Sequence, residues 1–252
     1  MAFRITLEGI TADDIDQTVD SVKNVNCKVL EWFGVIEGFD FKILRRGSPP
    51  LGGGCISFVC PVITSLKPIN KTDFGLIKRI RGIAATTRVS PQIANRLIEA
   101  VRSVLNRFTP DIYIYSDVFK GNDAGKSPGY SLFLLAETTT GSILSADGRG
   151  LAEQTVEDVA LGIAHRLLKQ IRLGGIVGQS HQWMLLTLIA LCPEDLSKIV
   201  LGPLAPSSST IIEDIKIFLG VSFKITPSGA NSTSTLVSCV GSGYVNLNRR
   251  TQ

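Results

Sequence analysis

The sequence predicts an α+β fold, and three observations carry that prediction. Phe3, Ile5 and Leu7 alternate with Arg4, Thr6 and Glu8, the period-two pattern of a half-buried strand. Residues 13–33 and 90–105 instead space their apolar positions as helices do. Finally, the element order β-α-β-β read over 1–60 returns over 198–240, which points to a repeated supersecondary unit.

The elements follow in order. After the first strand, Ile15, Val19, Val22, Val29, Leu30 and Phe33 mark a helix that Gly34 ends. Strands are expected at 39–44 and 55–60, the second closed by Pro61. Between them lies Arg46-Gly47-Ser48-Pro49-Pro50-Leu51-Gly52-Gly53-Gly54, too long for a two-residue hairpin turn and rich in residues that permit close backbone approach. The character changes at Gly82. Ser90-Pro91 opens a helix through Ile93, Leu97, Val101 and Leu105. Strands at 111–117, 130–137 and 142–146 then complete a small α+β module. A long helix from Val156 to Leu173 stops at Gly174-Gly175, and an apolar helix covers 182–192. The strand 198–201, the helix 210–219 and the strands 221–226 and 235–240 form the second β-α-β-β copy, with a Ser/Gly/Asn-rich turn at 227–234. Three units are therefore expected: 1–82, an inserted module at 83–150, and 151–252.

Composition narrows the function. The 252 residues are 44% apolar and only 19% charged, which excludes an intrinsically disordered chain. The longest apolar run, Trp183 to Cys192, is half of the roughly 20 residues a membrane helix needs. The opening residues lack the apolar stretch of a signal peptide, so a soluble protein in a reducing compartment is expected. Five scattered cysteines form no C-x-x-C pair, so neither a disulfide framework nor a zinc site is expected. The only histidines are His165 and His181. No metal centre or cofactor is expected.

Charge is uneven. The net charge is +4, but residues 1–41 carry −5 and residues 67–88 carry +5. With Lys42, Arg45 and Arg46 upstream, a basic belt spans 42–88, a footprint that suits a polyanion as well as an ordinary solvated face.

The motif Arg46-Gly47-x-x-Pro50-x-Gly52-Gly53-Gly54 resembles the signature loop of the RNA 3′-terminal phosphate cyclase family. The stretches Phe41–Ile43, Arg79–Ala84, Thr87–Gln92, Asp111–Asp117, Ser127–Tyr130 and Ala136–Gly141 are similar to its eukaryotic cyclase-like branch. The resemblance covers nearly the whole chain. It implies repeated units of a four-stranded sheet with two helices, plus a small inserted domain. It also implies a further N-terminal unit carrying a glycine-rich nucleotide loop, and nothing like that loop precedes Phe3.

Enzymes of this family adenylylate a histidine from ATP and pass AMP to an RNA 3′-phosphate, which closes to a 2′,3′-cyclic phosphate. The resemblance places that nucleophile at or beside Ser207, within Pro206-Ser207-Ser208-Ser209-Thr210. A serine hydroxyl cannot replace imidazole without an adjacent base, and 207–210 reads as a helix cap. His181 falls near an acidic position of the family pattern and is expected to cap or pack the following helix; His165 is expected to be a filler. An acid–metal nuclease centre would have to draw on Asp111, Asp117 and Asp123, which lack ligand spacing.

Binding residues are expected instead. Arg46, Gly52, Gly53 and Gly54 could hold an anion or simply join two strands, and Lys78, Arg79, Arg81 and Arg88 could meet RNA backbone. Asp214 and Lys216 on the 210–219 helix are the candidates for partner contact, beside Glu213, where the branch is basic. The resemblance implies a non-catalytic factor of the nucleolar small-subunit processome. That role brings a GTPase partner, contact with pre-rRNA and small nucleolar RNP, a place in early cleavages towards 18S rRNA, and no membrane.

Overall fold

The structure, a computed structural model, describes residues 2–228 and 234–247. Among them are three β-sheets and two hydrophobic cores. The first β-α-β-β unit comprises β1 (Phe3–Gly9), a helical segment, β2 (Asp40–Arg45) and β3 (Gly54–Cys60). The helical segment is α1 (Val19–Ser21), a π-helical stretch Val22–Asn26 and α2 (Cys27–Trp32). It starts later than the periodicity predicts. Thr18 is the cap, its hydroxyl accepting from the Ser21 amide, and residues 10–18 remain outside the helix.

The strands of this unit lie in the order β1-β3-β2, all antiparallel. The second copy repeats it: β9 (Leu196–Leu201), α6 (Pro206–Leu219), β10 (Lys224–Pro227) and β11 (Thr235–Val240) give β9-β11-β10, again antiparallel. β4 (Asn70–Lys71) adds a parallel fourth strand beside β9. α6 begins four residues before the expected start, because Pro206 supplies the first helical position and Ala205 the extended cap. Five residues of the turn expected at 227–234 (229–233) lie outside the described residues.

The inserted body is wider than 83–150. Its sheet runs β6-β5-β7-β8: β6 (Ile112–Phe119), β5 (Ile77–Thr87), β7 (Gly129–Thr138) and β8 (Ile143–Arg149). β5, the longest strand, crosses the boundary expected at Gly82. Its first half reads as a basic run because Arg79 and Arg81 occupy the half-open face, while Ile80, Gly82 and Ala84 face the other way into the core. On that inner side α3 (Gln92–Leu105) and α4 (Val156–Leu173) pack through Leu97, Val101, Leu105, Ile163 and Leu167 against Ile80, Leu132 and Leu134. The opposite face of β7 and β8 offers Phe133, Leu135 and Ile143 to the second core. That core also takes Val25, Val29 and Phe33, α5 (Gln182–Ala190) and α6.

The two cores therefore share one sheet as a wall. The β1-β3-β2 sheet stands apart from both, with Phe3, Leu7 and Leu44 exposed and Phe58 ringed edge-on by Phe3, Phe39 and Phe41. None of the helices among the described residues is long and apolar enough to cross a membrane.

Leu134 is fully buried where the shared wall meets α3 and α4. Leu134→Ala is expected to lower the unfolding free energy by about 2–5 kcal/mol, measured as a shift of the urea midpoint at unchanged slope.

Candidate functional site

The Arg46–Gly54 loop is the feature that joins the first unit to the inserted body. Arg46 is 3% exposed. Its Nη1 and Nη2 donate to the two oxygens of Asp20 on α1 at 2.6 and 2.7 Å, and its Nε donates to Asp117 on β6 at 2.8 Å. The guanidinium also lies 5.9 Å from the Phe119 ring. Burial alone would lower the pKa of Arg46, but the Asp20 hydrogen bonds and the charges of Asp20 and Asp117 raise it above the ordinary value. Arg46 is thus committed to two carboxylates. The anion binding expected of it gives way to a structural brace, since no exposed guanidinium edge is left to meet a ligand.

The glycines serve the same closure. Gly47 passes so close to its neighbours that a Cβ would sit 2.2 Å from the Gly54 amide and 2.6 Å from the Gly9 carbonyl. Gly52 and Gly53 adopt φ of 60° and 79°, which disfavours other residues. The Gly47 amide donates to the Thr11 hydroxyl, the Gly52 amide to the Ser48 carbonyl and the Leu51 amide to the Ser127 hydroxyl. Gly125 and Lys126 amides donate back to the carbonyls of Arg46 and Gly52. Of the two roles open to the loop, joining elements is the one its hydrogen bonds serve.

The basic belt does not converge. Arg79 pairs with Glu137 at 2.6 Å and Arg81 with Asp111 at 2.8 Å. Arg88, at φ 56°, turns its side chain onto the carbonyls of Gly125 and Gly121. Lys71 lies 4.7 Å from the Trp32 ring. Only Lys78 among Lys78, Arg79, Arg81 and Arg88 is exposed with no hydrogen-bonded or ion-paired partner.

His181 is 1% exposed at the N-cap position of α5, where it packs as expected without a side-chain capping bond. Its Nδ1 lies 2.7 Å from Asn26 Oδ1, an acceptor, which places the proton on Nδ1. Nε2 then accepts at 3.0 Å from the Ser145 hydroxyl, with the Ser21 hydroxyl at 3.3 Å. The order hydroxyl–imidazole–amide is that of an activated nucleophile, but Ser145 is 4% exposed and faces the interior. The network ties the π-helical stretch to β8 and to the start of α5. Burial lowers the His181 pKa to about 4. His165 is exposed on α4.

Ser207 is exposed in the first turn of α6 and makes no side-chain hydrogen bond, whereas Ser208 is buried and donates to Gln182 Oε1 at 3.0 Å. Asp214 is half-buried and Lys216 exposed on the same helix, followed by Ile217 and Phe218 at 75% and 81% exposure. Asp111, Asp117 and Asp123 do not meet. The first two are held by Arg81 and Arg46, and no group of three His, Cys, Asp or Glu among the described residues is placed to hold a metal. A cavity of about 540 Å³ between residues 13–18, the end of β8 and α4 collects Asp13, Asp14, Asp147 and Asp158 with Arg149 and Arg166. Most of its acids are engaged, Asp13 by the amides of Ile15 and Asp16, Asp14 by Arg149, Asp158 by Thr155, and Asp147 by the Thr18 amide and hydroxyl, while Asp16, which also lines it, is exposed.

Comparison with known proteins bears on the inserted sheet and on the chain as a whole. The family model for the RNA 3′-terminal phosphate cyclase insert domain matches residues 72–172, which contain the whole β6-β5-β7-β8 sheet. A probable RNA 3′-terminal phosphate cyclase-like protein of Dictyostelium discoideum is 44% identical over 98% of this chain and 70% of its own length. The chain belongs to the RNA 3′-terminal phosphate cyclase family, in its cyclase-like branch. The cyclase-like protein of Homo sapiens is 45% identical over 98% of the chain and 69% of its own length. A relative in Schizosaccharomyces pombe, 42% identical over 98% of this chain and 69% of its own length, is named rRNA processing protein rcl1.

Sequence reasoning missed Asp20 and Tyr113/Tyr115. Asp20 lies between Val19 and Val22 on the buried side of the helical stretch, 1% exposed, where a carboxylate needs a cation to meet it. In the second case the strict alternation Ile112-Tyr113-Ile114-Tyr115 already separates an inner from an outer face.

Two predictions follow from this geometry. Arg46→Ala leaves Asp20 buried without its partner and is expected to cost about 3–5 kcal/mol in chemical denaturation. Arg46→Lys, which cannot be bidentate, is expected to recover only part of that. The folded pKa of His181 lies below the ordinary imidazole value near 6.5, so the unfolded chain binds more protons between pH 6.5 and 4. Stability is fully present above that window and falls through it, by about 2 kcal/mol at pH 5 from this group. Asp147, raised by burial, acts in the opposite sense. The comparison is therefore unfolding free energy against pH for the wild type and His181→Gln, whose curve should lack the His181 component.

Proposed function

We propose that the chain is a non-catalytic factor of rRNA processing, working in the nucleolus within the small-subunit processome during the early pre-rRNA cleavages that lead to 18S rRNA. The observation that carries this reading is the 42% identity, over 98% of the chain, to the relative named rRNA processing protein rcl1. The absence of catalysis is supported by where the imidazoles and Ser207 sit. His181 is spent inside on Ser145 and Asn26, His165 stands alone on α4, and Ser207 has no base beside it. A fold that keeps its joints while its nucleophile position is inert acts through its surfaces.

In this reading the chain binds a GTPase of the processome and travels with pre-rRNA and small nucleolar RNP. The α6 face is the docking element, with Asp214 and Lys216 beside the exposed Ile217 and Phe218. A mixed patch of aromatic, aliphatic and charged side chains suits a protein partner.

The test is gentle purification of the tagged chain from the cells that express it, with sequencing of the co-purifying RNA and proteins. Enrichment of 18S precursors, processome proteins and a GTPase is expected. Lys216→Glu with Phe218→Ala is expected to cut GTPase recovery at least tenfold while the thermal midpoint changes little. Transfer of AMP from ATP onto the chain, or cleavage of pre-rRNA by the purified protein, would overturn the non-catalytic assignment.

A further inference from the structure

The β6-β5-β7-β8 sheet has one face covered along its length by α3 and α4, but on its second face the covering takes in β7, β8, Ile83 of β5 and the Asp117–Phe119 end of β6 and stops there. On that second face Phe133 and Leu135 are 3% and 6% exposed. In the same rows, one strand beyond β5, Tyr113 stands in register with Arg81 and Tyr115 with Ile83, and these tyrosines are 51% and 55% exposed. β6 is the edge strand, so nothing in the sheet flanks them on the outside.

The two rings meet edge to face, their centroids 4.5 Å apart at 74°. In that arrangement the ring presenting its edge keeps both faces free of the other, and the second keeps one. The pair is thereby stiffened, with open π-surface on the half-exposed rings. Cations border it. Lys78 is exposed and unpaired, and the guanidinium of Arg81 is fixed beside Tyr113 by two hydrogen bonds to Asp111 at 2.8 and 3.2 Å. Arg79 is likewise fixed on Glu137. With Asp111 and Glu137 offsetting the two arginines, one positive charge is left over, carried by Lys78, the one of the three that is exposed.

Exposed aromatic rings beside positive charge on an open strand surface are what a single strand of nucleic acid needs. Its bases have exposed π-faces and its phosphates seek cations, whereas a duplex keeps its bases inside. We propose that the open β5–β6 half of this sheet binds single-stranded RNA, bases stacking on Tyr113 and Tyr115 and backbone phosphate meeting Lys78. The choice of RNA over DNA rests on the function proposed above; the stacking geometry does not. A protein partner would be met by an apolar centre with a polar rim, and here arginines, tyrosines and carboxylates fill the centre instead.

The test is fluorescence anisotropy of a labelled, unstructured RNA of roughly 12 nucleotides, within the usual span of single-strand sites, titrated with the full chain. Stacking contributes about 1–3 kcal/mol per base, so the double substitution Tyr113→Ala, Tyr115→Ala should weaken binding at least tenfold. Tyr113→Phe, Tyr115→Phe keeps the rings and should stay within about threefold of the wild type. Lys78→Ala should lower the salt slope by about 0.7. Both tyrosines are surface residues, and equal thermal midpoints would show that the alanine variant is folded. Ultraviolet crosslinking of the wild type should map to Tyr113 or Tyr115. The proposal is overturned if the alanine variant binds as the wild type does, if the matching duplex binds as tightly, or if no binding is seen up to about 100 µM. Failure here with pre-rRNA still co-purifying removes the platform and leaves the processing role. Stacking-dependent binding without that enrichment does the reverse.

Discussion

The Arg46–Asp20–Asp117 ion cluster is the constraint on which the arrangement of the units depends. It is made from three separate parts of the chain: the loop after β2, the first turn of α1 and the upper half of β6. A guanidinium and a carboxylate that are 3% and 2% exposed are costly to remove from water, and fixed bidentate geometry is what offsets that cost. The consequence is positional. Arg46 can sit there only if α1 and β6 are both in place, so the cluster couples the packing of the first β-α-β-β unit to that of the inserted sheet. The glycines make the approach sterically feasible, since at Gly47 any side chain would collide with the Gly54 and Gly9 backbone.

Much of this was legible in the residues. The period-two run at Phe3–Glu8, the helix opened by Ser90-Pro91 and the strand at 235–240 are set by local pattern and form the elements it predicts, although Phe3 and Leu7 are exposed where the pattern reads as half-buried. The repeat of β-α-β-β order was readable without sequence identity between the copies, and the matching antiparallel orders β1-β3-β2 and β9-β11-β10 give it spatial meaning. What local pattern could not supply was partnership. Arg46 in a glycine-rich loop looks the same whether it faces an anion in solution or a carboxylate contributed by a helix 26 residues earlier. The strand β5 was hidden for a related reason. Its arginines alternate outward, and a half-open face filled with cations imitates a solvated basic segment until Glu137 and Asp111 are seen opposite them.

One residue type of catalysis, the imidazole of His181, is used here for cohesion. His181 holds a neutral imidazole between two serines and an asparagine; were it exposed, its pKa would lie where acid–base work is done, and burial moves it to about 4. The same interior placement that makes it useless to a substrate makes it a good fastener. Its two ring nitrogens satisfy groups from the π-helical stretch and from β8 that would otherwise be buried without partners.

Those fastenings also decide which part of the shared sheet is covered. The helical layer over the second face is anchored at β8, through Thr18 on Asp147 and through His181 on Ser145. Leu135 and Phe133 draw it over β7. On β6 the side chains that alternate towards this face are Tyr113, Tyr115, Asp117 and Phe119, and the layer reaches only the last two, where Arg46 crosses Phe119 and binds Asp117. A second anchor at Tyr113 would have required an apolar residue there and a longer helix above it. The chain instead has tyrosines held edge to face, which stay ordered without a covering layer. Covering β7 and β8 while leaving β6 open is thus a consequence of where Asp147, Ser145 and Arg46 fasten the helices.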